Sequence, residues 1–182
     1  MSHGHGADHG GGNKGIALLI SVLALVLAFS ETLGKGAQTA GLALNIEASN
    51  LWAFFQAKTI RQTVLRTAAE QTSVAASSEN SKKQAEKWLD TAKRYQSEPE
   101  TGEGRDQLAA RAKDAEKKRD RAMAAYHHYE VASAAVQIAI VMASASIITS
   151  MAALVWIAAG LGVLGVVFCV IGFFFPMAVH LF

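Results

Sequence analysis

The chain has 182 residues, 51% of them hydrophobic, and carries 17 Lys and Arg against 15 Asp and Glu for a formal net charge of +2. So small a surplus, interleaved in sign where it is densest (Lys113, Asp114, Glu116, Lys117, Lys118, Arg119, Asp120), excludes an electrostatic nucleic-acid binder and reads as a solvated helix face. The single cysteine, Cys169, excludes an intrachain disulfide framework, and the gathering of apolar residues into uninterrupted runs excludes an ordinary soluble domain.

Residues 1–13 are rich in Gly and His and bury no core, so they are expected to be disordered. His3, His5 and His9, with Asp8 beside them, offer imidazoles to a divalent metal, although a flexible tail without fixed geometry is the plainer reading. Residues 14–33 hold the first apolar run, long enough for a helix to cross a hydrocarbon core of about 30 Å. It is longer than a signal-peptide core and no convincing cleavage site follows it, so an uncleaved anchor is expected. Gly34, Gly36 and Gly41 are expected to loosen the exit from this span.

Sixteen of the 17 basic residues lie between Lys35 and Arg121. Within that block Leu44, Ala48, Leu51, Phe55, Lys58, Gln62, Leu65 and Ala69 recur at helical spacing, and Ala53, Ala57, Ile60, Val64 and Ala68 form a second stripe beside them. Two adjacent stripes predict a helix contacted from two directions, by its own partner arm and by another subunit. Ser77 to Ser81 is expected to weaken the helix, and Lys82 to Gln96 to form another stretch. The run Ser97 to Gly104, with Pro99, Gly102 and Gly104, predicts the turn of a helical hairpin covering 34–130. Arg105 to about Ser150 then reads as one unbroken helix, soluble at first and apolar from Val131.

No charge occurs from Val131 to Phe182, which accommodates two spans, 131–150 and 154–175, with a tight turn between them and a short end at 176–182. The predicted fold is therefore an all-α membrane protein, three transmembrane helices with a coiled-coil-like helical hairpin inserted between the first and second. Lys117, Lys118, Arg119 and Arg121 before the second span, and Lys35 after the first, put that hairpin and the C-terminus in the cytoplasm and the N-terminus in the periplasm.

Each span carries a strip of small residues: Ala17, Ser21, Ala24 and Ala28 in the first; Ala135, Ala139, Ala143, Ser146 and Ser150 in the second; Ala158, Gly162, Gly165, Cys169 and Gly172 in the third. Lipid gives helices no hydrophobic reason to associate, so such strips mark close helix contacts, within the chain or between copies. Glu31 continues the first strip and is a candidate ion or proton site, weighed against an interfacial anchor that snorkels to water. Tyr126, His127, His128, Tyr129 and Glu130, with Trp52 and Trp156, read as side chains at the level of the lipid headgroups.

The run Asn50-Leu-Trp-Ala-Phe-Phe-Gln-Ala-Lys58, continuing Thr-Ile-Arg61-Gln62, resembles the signature stretch of a bacterial family of small three-span membrane proteins known as a domain of unknown function. The order of parts from Lys14 to Phe175 resembles that family too. The resemblance implies a prokaryotic inner-membrane protein and carries over no activity. On this run Trp52, Phe55, Gln56, Lys58 and Arg61 form either a buried helix contact or a patch for lipid headgroups or a partner.

No nucleophile–base pair, phosphate-binding loop or helix-borne zinc motif is present; Gly160-Leu-Gly162-Val-Leu-Gly165 mimics a dinucleotide fingerprint but lies inside an apolar run. The expectation is a non-enzymatic protein without a cofactor. It would be embedded in the lipid bilayer, homo-oligomeric, and a scaffold or an accessory of a larger membrane complex. A homo-oligomeric ion or proton pore and a metal-handling protein using the His tail are the alternatives.

Overall fold

In the computed structural model, residues 10–75 and 78–178 are described, 10–13 by backbone alone. They form four helices: α1 (Gly10–Ala75), α2 (Glu79–Gln96), α3 (Arg105–Thr149) and α4 (Ala152–Phe174). Among the described residues there is no strand. The helices α1, α3 and α4 are each long and apolar enough to cross a membrane. The chain divides into two compact units, the first up to Gly41 and from Asp120 onward, the second Leu42–Arg119.

The first unit packs the early part of α1 against the later part of α3 and α4. Leu23 lies against Gly162 and Ser30 against Cys169, so α4 runs parallel to α1. Gly34 lies against Tyr129 and Gly41 against Met123, so α3 runs antiparallel to it. The core is small-sided: Leu23, Val136, Ala139, Ala143 and Ala158. Helix α1 passes through Gly34, Gly36 and Gly41 without a break, which corrects the expectation of a loosened exit. A Cβ at Gly41 would stand 2.7 Å from Met123 Sδ, so this glycine serves close approach of α3 rather than a bend. Helices α3 and α4 are separated by Ser150 and Met151, with Ser150 in the left-handed region at φ 55°.

The second unit contains a correction to the predicted hairpin. Gln62 of α1 pairs with Ala92 and Gln96, Lys58 with Tyr95 and Glu98, Trp52 with Glu116, and Asn45 with Arg119. As the first partner descends in number the second ascends throughout. Both α2 and the early part of α3 therefore run antiparallel to α1, one after the other. The chain reverses between α1 and α2, not at Ser97–Gly104. That loop is a jog in a returning arm made of two helices. Ser78 caps α2 by accepting from the Ser81 amide at 3.3 Å. The jog is pinned where Gln107 accepts from the Glu98 amide and donates to Ser97 Oγ, with Gly102 at φ 69° closing its turn.

Candidate functional site

In the second unit the first predicted stripe faces α2 and α3. Its apolar members Ala48, Leu51 and Ala69 are buried, and so are its polar members Lys58 and Gln62. A buried ammonium needs partners, and the jog supplies them: Lys58 Nζ lies 3.5 Å from Glu98 and 3.9 Å from Glu103, and over the rings of Phe54 and Tyr95. Gln62 donates to the Ala92 carbonyl at 2.9 Å and accepts from Arg105, whose guanidinium stacks on Phe55 at 4.9 Å. Arg105 also donates to Gln96, and its Nε is buried with no partner. Trp52 donates to Glu116 at 2.8 Å and meets Phe55 edge to face.

Of the five residues predicted as a partner or lipid patch, Trp52, Phe55 and Lys58 thus serve this internal contact, while Gln56 and Arg61 remain exposed. For Trp52 this replaces the expected headgroup-level anchor with a hydrogen-bonded strut. Arg105, Glu98, Tyr95 and Glu116 escaped the sequence reading. The signal was available, because a lysine and a glutamine four apart inside an apolar stripe demand polar partners nearby. Elsewhere on this unit, Lys118 lies above the ordinary ammonium value because of its hydrogen bond to Asp114; the pair is exposed and contributes little.

In the first unit the strips of α3 and α4 are used up within the chain, apart from exposed Ser150 just past the end of α3. Ala135, Ala139, Ala143, Ser146, Ala158, Gly162, Gly165 and Gly172 are buried. A Cβ at Gly165 would stand 2.5 Å from Val136 Cγ2, and one at Gly172 3.0 Å from His128 Cβ. The α1 strip behaves differently: Ala17, Ser21, Ala24 and Ala28 are all exposed, with Ser21 Oγ donating back to the Ala17 carbonyl. The buried side of α1 carries Leu23 and Ser30 instead, and Ser30 meets Cys169 Sγ at 3.0 Å.

Glu31 is exposed and receives a long 3.5 Å hydrogen bond from Gln137. It lines an open cleft of about 360 Å³ with Lys35, Gln38, Tyr126, Glu130 and Ser133. The expected row of headgroup-level side chains at 126–130 divides between two faces. His128 and Tyr129 are buried against neighbouring helices, so they do not act as exposed anchors. His128 stacks on Phe168, and its Nε2 donates to the Pro176 carbonyl at 3.2 Å, leaving Nδ1 buried without a partner. Trp156 is exposed.

Among the described residues no three metal-ligating side chains converge; His3, His5 and His9 lie outside the described residues. The clusters present do structural chemistry: they neutralise buried charge and bring helices close. Residues 12–175 match the model of a protein family described as "Domain of unknown function (DUF4337)". Neither a curated protein nor a solved structure matches the chain.

Proposed function

The chain belongs to the DUF4337 family, and from its own geometry we propose that it is a non-enzymatic, self-associating protein of the bacterial inner membrane, a scaffold or an accessory subunit of a larger membrane complex. The three long apolar helices serve as its spans, and the charged residues 34–130 and the C-terminus face the cytoplasm by the positive-inside rule. The observation that carries self-association is the unequal use of the small-residue strips. Those of α3 and α4 are covered within the chain as far as Ser146 and Gly172, with only Ser150 exposed past the end of α3, and Ala17, Ser21, Ala24 and Ala28 of α1 lie bare. Small residues gain nothing from facing lipid, whereas they let a second helix approach closely. Native mass spectrometry after extraction in mild detergent tests this: the expected result is a defined oligomer, and a monomer at every protein concentration refutes it.

A second reading has a specific observation in its favour. Glu31 follows the bare strip and opens on a cleft shared with Glu130, so an assembly could place a ring of carboxylates about a conducting axis. Glu31→Gln in a liposome proton or cation flux assay decides it; equal leak through both forms eliminates conduction. Metal handling by His3, His5 and His9 is tested by calorimetry on the full chain with and without those histidines. Heat of binding that survives their removal rules it out.

A further inference from the structure

The face of α1 turned away from α2 and α3 in the second unit carries a seven-residue repeat. Ile46, Ala53, Ile60, Thr67 and Val74 recur at intervals of seven, and Ala43, Asn50, Ala57, Val64 and Gln71 each stand three positions before one of them. This is the a/d pattern of a coiled coil, with the second set at a and the first at d. All ten are exposed except half-buried Ala57. Ile46, Ile60 and Val64 each expose more than 60% of their surface and Val74 90%. The opposite side of the same stretch is spent on the chain itself, through Ala48, Leu51, Lys58, Gln62 and Ala69.

We infer that this seam is the contact between two copies of the chain, a parallel two-stranded coiled coil along α1 from Ala43 to Val74, about 47 Å long at about 1.5 Å per residue. The inference rests on the reading that the protein self-associates in a membrane and names the surface by which it does so. Three features fix the occupant. Copies inserted in one membrane share one orientation, so two α1 helices run parallel and each a or d residue meets its own equivalent. A lone helix sustains a strict repeat of seven for no reason of its own, since 3.6 residues make a turn; the repeat keeps a seam facing a helix of the same pitch. Asn50 stands at an a position, where a buried asparagine holds register and favours two strands at some cost in stability. A face made for lipid would not place Asn50, Thr67 and Gln71 among its apolar residues. The alanine layers at 53 and 57 let the helices approach closely. Beside them Gln56, at g, reaches Arg61, at the following e position of the second copy. Both side chains are exposed in the single chain.

The test uses the full-length protein with Cys169→Ser and single cysteines at Asn50 or Val64 on the seam, and at exposed Arg66 away from it. In membranes treated with copper phenanthroline, the seam cysteines are expected to give disulfide-linked dimers at least about tenfold faster than the Arg66 cysteine. Equal rates overturn the inference. Native mass separates the two readings: an oligomer without seam crosslinks removes this interface and leaves self-association standing, whereas a monomer removes both. Quenching of a fluorophore at position 64 by brominated lipid marks a lipid face and also overturns it. Asn50→Leu adds a readout independent of crosslinking. It is expected to tighten association about tenfold, a change of about 1.4 kcal/mol, and to admit higher oligomers; unchanged or weaker association contradicts the seam.

Discussion

Replacing Gly165 by alanine introduces one methyl group where the first unit has no room for it. The new Cβ would stand 2.5 Å from Val136 Cγ2 and 3.2 Å from the Ala132 carbonyl oxygen. Valine in a helix holds one χ1 rotamer and the carbonyl is backbone, so neither side can yield locally and α3 and α4 must separate. Overpacking of this kind costs about 1–3 kcal/mol. Alanine returns about 1 kcal/mol of helix propensity, for a net loss of up to about 2 kcal/mol. Gly160 provides the internal control, because nothing lies within 4 Å of its Cβ position and Gly160→Ala should be neutral or slightly stabilising. Gly162→Ala should fall between, since its nearest neighbour is Leu23 Cδ2 at 2.6 Å, the end of a side chain that can rotate. Unfolding by SDS in mixed micelles, followed by near-ultraviolet circular dichroism, gives the three values. If Gly165→Ala proves as stable as Gly160→Ala, the packing of α4 on α3 described above is wrong.

Lys58→Ala should cost about 2–3 kcal/mol in thermal unfolding, because it removes both the cation facing Glu98 and Glu103 and the stem beside Phe54 and Tyr95; Lys58→Met, which removes the cation but keeps the stem, should cost about 1 kcal/mol less. Equal losses in the two variants would mean that the charge, not the packing of the stem, matters there. Trp52→Phe removes the hydrogen bond to Glu116 and should cost about 1–2 kcal/mol, most of it absent when Glu116→Ala, which has no acceptor, is already present; full additivity in that double-mutant cycle would deny the coupling. Ala24→Leu on the bare strip should weaken self-association at least about tenfold and leave monomer unfolding nearly unchanged, measured by native mass against concentration. An unaltered oligomer would put that strip against lipid.

Helices were the most legible part of the sequence, for reasons visible in particular residues. The uncharged runs after Gly15 and Val131 become parts of α1, α3 and α4, since twenty apolar residues in a row have few other uses. The stripe from Leu44 to Ala69 marked the buried face of α1, polar members included. The course of the chain was harder to read. Pro99, Gly102 and Gly104 make the strongest local turn signal in the block, yet they form a jog, because turn chemistry reports a local bend and not the direction of the helix that follows. The sequence between α1 and α2 has neither proline nor glycine, only Ser77-Ser-Glu-Asn-Ser81 after alanines, a weaker signal. Glycines 34, 36 and 41 misled in the opposite sense: flexibility was read in a stretch where α1 is unbroken, and at Gly41 it was the neighbouring helix that required space. The knot around Lys58 was missed because its partners are about 40 residues or more away in sequence, at Tyr95, Glu98 and Arg105, and periodicity sees only one helix at a time.

Self-association through α1 is the claim on which the functional reading stands. Native mass spectrometry of the full chain, taken from membranes into mild detergent over a hundredfold range of protein concentration, tests it most directly. A discrete oligomer that persists on dilution is the expected result, and a strict monomer throughout would contradict it.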